Sequence, residues 1–363
     1  MPMSDHAKAH AAPFLSRLLR GMKDGIGKVF TPNVHPSGAH EPTCKRAFLF
    51  AKRLGWYKPR WSEALYAGTA MHEVLSRTYQ GTEIDIASEQ IRSEANLSIA
   101  KSQASYEADN PGEKAPDYDE VKKAASLGTV MASAYDHAFP MPTSWDVIAV
   151  EQTIQRELSP VLGVSAPPLV GTMDLVIHDP TNPVGPYWLL DYKSCSEKPS
   201  YRATGLTYAI QPRLYRALWN AAHPDKKLAG VIHGIVQKPT IRRKTKSGET
   251  WPQYYDRCLQ WYEDQMLTNP DDPPIIRSRI AFLTPPLEKD LELHELLRKL
   301  AALSVPNPDL STFYRCGNHH VCVDARFRRV CPYFPFCSAE DPRRWENIFE
   351  TRGFLKRDPE IRD

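Results

Sequence analysis

The stretch Gly171-Thr172-Met173-Asp174-Leu175-Val176-Ile177, followed after a proline-bearing turn by Tyr187-Trp188-Leu189-Leu190-Asp191-Tyr192-Lys193-Ser194, reads as two neighbouring β-strands. Each strand carries a carboxylate where its apolar pattern asks for something else. Lys193 stands two positions beyond Asp191, so the strand period puts ammonium and carboxylate on one face. Two carboxylates and an ammonium on one sheet face suit a hard divalent cation and a water beside a phosphate. A lone aspartate at a strand end is usually a cap or turn former. A pair of them, the second followed by Tyr-Lys-Ser, points to chemistry instead. Upstream, Val147-Ile148-Ala149-Val150-Glu151-Gln152-Thr153-Ile154 is a third strand pattern, and it holds Glu151. Three acids from neighbouring strands repel strongly in a low dielectric, and a divalent ion removes that penalty. Glu151 also reads as an ordinary exposed strand position.

Outward from this centre, apolar periodicity predicts helices over 63–79, 84–108 and 119–138, the last two separated by Asn110-Pro111-Gly112. Strands follow at 147–155, 169–177 and 187–192, then a helix over about 204–221 and a strand at 229–236. A helix at 251–268, a strand at 275–282 and a helix at 286–303 complete the pattern. This order predicts a mixed α/β fold, with a central sheet flanked by helices. Residues 1–40 read as an N-terminal arm with one amphipathic piece, Phe14-Leu15-Ser16-Arg17-Leu18-Leu19. Residues 41–145 read as a helical segment, 146–305 as the sheet-bearing core and 306–363 as a cysteine-bearing segment and tail.

With 363 residues the chain can bury a sizeable core. Its 32 prolines exceed an average usage of roughly 5% and predict many irregular connections. The net charge of +3 neither requires nor excludes a polyanion partner, so local patches must decide. No apolar run reaches the roughly 18 residues of a membrane-spanning helix. No secretory leader is legible, so the expected location is cytoplasmic. Seven cysteines in such a chain argue for metal or cluster ligation before disulfides.

Two further motifs lie on predicted helices. The first reads Gly68-Thr69-Ala70-Met71-His72-Glu73-Val74-Leu75, and the second Tyr208-Ala209-Ile210-Gln211-Pro212-Arg213-Leu214-Tyr215. With Asp174 and Asp191-Tyr192-Lys193, they give the chain a resemblance to the PD-(D/E)xK nuclease superfamily, in its RecB-like branch. That branch sets a histidine on an early helix, an acid on one strand, an acid-x-lysine on the next, and Gln-x-x-x-Tyr on the following helix. The resemblance implies a restriction-endonuclease-like fold and a metal-dependent DNA nuclease, an exonuclease of phage or bacterial recombination, replication or repair. It implies Mg²⁺ or Mn²⁺ held by His72, Asp174, Asp191, the Tyr192 carbonyl and Glu151, with Lys193, Gln211 and Tyr215 completing the catalytic set. Gln211 and Tyr215 are one helical turn apart and share a face. Pro212 is tolerated if it lies in the first turn and kinks the helix otherwise. A catalytically silent DNA-binding or assembly subunit of the same fold is the alternative.

The C-terminal segment carries Cys316, Cys322, Cys331 and Cys337, the last pair separated by Pro332-Tyr333-Phe334-Pro335-Phe336. A subset of RecB-like nucleases is similar here, including phage exonucleases, the AddB helicase-nuclease subunit and CRISPR-associated adaptation nucleases. In that subset one cysteine ahead of the core and three after it hold an iron–sulfur cluster of the 4Fe–4S type. The resemblance implies Cys44, Cys322, Cys331 and Cys337 as its ligands. Arg328 stands where that subset often has a further cysteine, and Cys316 can replace Cys322. With His319 or His320 the same segment also suits zinc. Cys195 and Cys258 read as isolated, inert thiols.

The implied partner is DNA, single-stranded or with a duplex end, along with a helicase or recombination protein and no membrane. Lys238, Arg242, Arg243, Lys244 and Lys246 form a basic loop, and Arg326, Arg328 and Arg329 a second patch; both suit phosphates. Trp251, Tyr254 and Tyr255 fit base stacking and helix packing equally well.

Overall fold

A computed structural model describes residues 63–109, 118–207, 209–282 and 290–303, together with two-residue strands at 56–57, 323–324, 329–330 and 355–356. The chain divides into two compact units. One comprises Ser62–Ile154 and Gly171–Thr284; the other comprises Met1–Trp61, Gln155–Val170 and Pro285–Asp363.

The first unit opens with three helices, α1 (Glu63–Tyr79), α2 (Ile84–Asp109) and α3 (Asp119–Ala138). The buried residues of α1 include Ala67, Ala70, Met71, Val74 and Leu75, spaced three and four apart as an amphipathic helix requires. Helix α3 is buried continuously from Ala124 to Tyr135. Such burial around the whole circumference marks a helix enclosed by other elements. A Cβ on Gly128 would lie 2.5 Å from both the Ala67 carbonyl oxygen and the Ala70 Cβ, so only glycine lets α3 approach α1 this closely. Arg77 cross-links the layer, donating to Glu73 within α1 and to Gln90 and Glu94 on α2.

The sheet has five strands: β2 (Asp146–Arg156), β3 (Leu169–His178), β4 (Tyr187–Cys195), β5 (Leu228–Gln237) and β6 (Ile275–Ala281). They stand in that spatial order. Strands β3 and β4 are antiparallel, with Leu175 opposite Leu190; β4 and β5 are parallel, with Asp191 beside His233; β5 and β6 are antiparallel, with His233 beside Ser278. Trp188 through Tyr192 are all buried, as expected for a central strand covered on both faces.

A parallel pair needs a long crossover, and here two helices supply it. The expected single helix over 204–221 is in fact α5 (Pro199–Leu206) and α6 (Ile210–Ala222). Pro199 starts the first helix near its N-terminus, a position where a proline has no hydrogen bond to lose. Pro212 is the third residue of α6 and so lies in the first turn, where it removes no intrahelical bond. Helix α7 (Trp251–Thr268) opens with a capping box between Thr250 and Gln253 and buries Tyr254, Cys258 and Tyr262 at four-residue spacing. The structure is therefore the mixed α/β sheet flanked by helices that the sequence predicts.

The second unit contains α4 (Ser159–Leu162) and α8 (Leu291–Leu303). Arg298 of α8 donates to the Leu162 carbonyl, and the Asp290 carboxylate accepts from the Leu293 amide at the start of α8. Strand β1 (Trp56–Tyr57) pairs antiparallel with β9 (Leu355–Lys356), and β7 (Val323–Asp324) with β8 (Arg329–Val330). Cys44, Cys316, Cys322, Cys331, Cys337, His319, His320 and the amphipathic piece at 14–19 lie outside the described residues, as do Arg326 and Arg328. No helix among the described residues is long and apolar enough to cross a membrane.

Candidate active site

Helix α1 and strands β2, β3 and β4 bring four polar groups together. His72 Nδ1 lies 3.4 Å from Asp174 Oδ2, and His72 Nε2 lies 3.0 Å from the Tyr192 carbonyl oxygen. The Tyr192 amide donates to the same Asp174 oxygen at 2.9 Å. Glu151 completes the group: one ligand atom each from His72, Glu151 and Asp174 lies within 4.8 Å of the other two. Glu151 has φ of +47°, a left-handed conformation that a non-glycine residue adopts at a cost. Backbone strain of this kind clusters at functional sites, and here it accompanies a carboxylate placed beside Asp174 and His72. The donor chemistry fits the group that the sequence resemblance implies. Two carboxylates and a carbonyl are hard oxygen donors for Mg²⁺ or Mn²⁺, and an imidazole nitrogen is compatible with the latter.

Tyr192 owes its fixed backbone to aromatic packing. Its ring stacks on Tyr79 at 6.2 Å and meets Tyr135 edge-on at 5.3 Å. Gly234 makes this possible, because a Cβ there would come 2.7 Å from the Tyr135 ring. Arg277 donates to the Tyr135 hydroxyl and to the Phe139 carbonyl, closing the wall.

Asp191 and Lys193 lie next to this group. Asp191 is 2% exposed; its Oδ1 accepts from Lys193 Nζ at 2.7 Å and its Oδ2 lies 3.0 Å from His233 Nδ1. Burial raises the carboxyl pKa, but Lys193 and His233 more than offset this and hold it well below the usual carboxylate range. Burial lowers the Lys193 pKa, and Asp191 and Asp174 reverse the shift, leaving it above the ordinary lysine value. In the metal-free protein Lys193 is therefore an ammonium at neutral pH and donates to Asp191. Burial lowers the His72 pKa as well, yet Asp174 and then Glu151 outweigh it and push the imidazole up to about 9. In the absence of a cation, a proton on His72 partly balances the two acids.

On α6, Gln211 Nε2 donates to the Tyr215 hydroxyl at 3.0 Å. The phenol pKa is raised by burial first and then by Asp191, Asp174 and Glu151, so the three carboxylates act on it together and it stays protonated. Of the residues expected at the site, His72, Glu151 and Asp174 bring ligand atoms together and the Tyr192 main chain joins them. Asp191 is outside that ligand group and pairs with Lys193 and His233, and Gln211 and Tyr215 bond each other on α6. Tyr208 lies outside the described residues.

Sequence reading missed His233. Its one signal was a polar residue within the apolar run 229–236, which by itself is uninformative. The basic loop also differs from expectation. Arg243 donates to Asp119 and to the Glu249 carbonyl and stacks on Trp251 at 4.3 Å, so it braces the fold. Lys238 donates to the Ala64 carbonyl. Arg242, Lys244 and Lys246 are exposed. Tyr254 is buried and donates to the Ile241 carbonyl, and Tyr255 shares a hydrogen bond with Ser133, so both pack within the fold. Cys195 and Cys258 are buried free thiols that burial pushes up to about 11, as inert thiols should be.

A sequence model of the PD-(D/E)XK nuclease superfamily matches residues 42–338. No curated protein matches the chain.

Proposed function

The chain belongs to the PD-(D/E)XK nuclease superfamily, and from that premise we propose that it is a metal-dependent deoxyribonuclease that degrades DNA from an end. The convergence of the His72, Glu151 and Asp174 donor atoms beside the Asp191–Lys193 pair carries this reading. Asp174, Asp191, Glu151, His72 and the Tyr192 carbonyl are the residues that would hold Mg²⁺ or Mn²⁺. The ion, when bound, supplies Lewis acidity and acidifies a water for attack on phosphorus. Lys193 keeps its ammonium and donates to a phosphoryl oxygen as negative charge grows there. Tyr215, protonated and tied to Gln211, offers a second donor to the phosphodiester. The electrostatic logic runs through every step: a site that repels phosphate when empty of cations attracts it when filled.

The order of the five motif elements supports the RecB-like branch, and with it a bacterial or phage setting, a cytoplasmic location and a helicase or recombination-protein partner. The thiolate chemistry of Cys44, Cys322, Cys331 and Cys337 supports a 4Fe–4S cluster of structural role. Anaerobic purification tests this directly: a brown protein with iron and sulfide upholds it, and a colourless protein with stoichiometric zinc rejects it.

Digestion of end-labelled single- and double-stranded DNA with Mg²⁺ or Mn²⁺, with free and blocked ends, tests the activity. Loss of product when ends are blocked or DNA is circular is expected. Lys193→Ala should lower kcat by about 10²–10³-fold, and Asp174→Ala by at least as much. Cleavage of circular single strands rejects the exonuclease reading. Activity equal in wild type and Asp174→Ala rejects the enzyme.

A further inference from the structure

His233 sits in an otherwise apolar strand, fully excluded from solvent. The parallel register of β4 and β5 sets it directly beside Asp191. Its Nδ1 lies 3.0 Å from Asp191 Oδ2, whereas its Nε2 has no hydrogen-bond partner among the described residues. Its sequence neighbours along the strand, Val231, Ile232, Ile235 and Val236, are buried aliphatics. An aliphatic side chain at 233 would escape the desolvation that an imidazole suffers there. The contact with Asp191 is what offsets that desolvation.

We propose that His233 is a positioning residue for the metal centre. This rests on the metal-dependent reading given above. In the tautomer with its proton on Nδ1, the imidazole donates to Asp191 Oδ2 while Lys193 occupies Oδ1. The carboxylate is thereby held from both sides. Each ionised oxygen has two acceptor sites, so one on each remains for a cation. Hydrogen-bond partners standing behind ligating groups typically change metal affinity or activity by about 10–100-fold when removed. Register alone delivers this partner: any residue at 233 adjoins Asp191, and histidine there brings a ring nitrogen to the carboxylate.

The test is calorimetric titration of Mn²⁺ into wild type, His233→Asn, His233→Gln, His233→Leu and Asp191→Ala, with melting curves for each. Asparagine sets its amide nitrogen near the place of Nδ1; glutamine sets it near Nε2. His233→Asn should bind Mn²⁺ much as wild type does, and His233→Gln and His233→Leu about 10–100-fold more weakly. If leucine does not fold, the comparison between the two amides decides. Equal affinity for the asparagine and glutamine variants, with Asp191→Ala weakened, overturns the role of His233 alone. Unchanged affinity in Asp191→Ala overturns the placing of Asp191 at the metal, and this proposal with it. In the wild-type protein, nitrogen NMR gives an independent readout: His233 protonated on Nδ1 upholds the proposal, and Nδ1 without a proton overturns it.

Discussion

The main-chain nitrogen of Tyr192 donates to Oδ2 of Asp174 at 2.9 Å. The strand that carries Asp191 and Lys193 therefore also orients the acid on the neighbouring strand. Tyr192 contributes its carbonyl to His72 as well, so one residue locked by aromatic stacking aligns three elements. Disturbance of the helices behind Tyr192 should reach the proposed metal site without touching its proposed ligands.

Gly128 offers that disturbance. Gly128→Ala forces a Cβ to within 2.5 Å of Ala67 and Ala70, on the helix that carries His72. Overpacking of this kind costs about 1–3 kcal/mol, and Mn²⁺ affinity should fall along with the melting temperature. Gly205→Ala is the control. Nothing lies within 4 Å of its new Cβ, so the melting temperature should hold or rise, by about 0.4–1 kcal/mol in stability.

Glu151→Gly should separate stability from function. Its φ of +47° costs a residue with a side chain about 1–2 kcal/mol. Glycine removes the strain, and the substitution removes a charge that faces Asp174. The metal-free protein should melt higher, by about 2–4 °C per kcal/mol, while Mn²⁺ affinity drops. Calorimetry reads both quantities, and a lower melting temperature would show that the lost attraction between Glu151 and His72 outweighs the strain released at this position of β2.

On the proposed reading, His72 should make metal binding depend on pH. Its folded value of about 9 lies above the ordinary 6.5. In the metal-free protein its charge stabilises the fold fully below about 6.5, and that contribution is lost as pH rises through about 9. A cation needs the neutral imidazole, so binding displaces the proton. Apparent Mn²⁺ affinity should therefore climb by up to about tenfold per pH unit over the window between those values. His72→Gln should flatten the slope; a slope that remains equally steep assigns the displaced proton to another group.

The basic loop divides into two kinds of cation. Arg243→Ala loses the Asp119 pair and the Trp251 stack, so it should lower the melting temperature. Charge reversal at Lys246, which is exposed, should leave the melting temperature in place, whereas reversal at Lys244 sets an acid beside Glu249 and should lower it. If the loop tracks DNA, each reversal weakens binding uniformly across sequences and reduces the salt slope by about one. Filter binding at several salt concentrations reads this.

Much of this arrangement was legible beforehand. The helices at 63–79, 119–138 and 251–268 and the strands around Asp174, Asp191 and His233 announce themselves through local periods, because burying one face imposes 3.6 or 2 on the chain. The break between α5 and α6 was signalled only by Pro212, which fits the first turn of a new helix as well as a kink in a longer one. His233 and the strained Glu151 escaped notice for another reason. One depends on which strand lies alongside, and the other on a backbone angle that glutamate does not advertise.

The amino-acid sequence by itself determined which chemical groups this protein possesses and on which elements they ride, since period and residue type are local properties. Only the tertiary structure decided which atoms meet. Parallel register placed His233 against Asp191, aromatic packing locked Tyr192 between Asp174 and His72, and Arg243 turned inward to Asp119. Those contacts join residues up to 124 positions apart, and no local pattern encodes a partner at that distance.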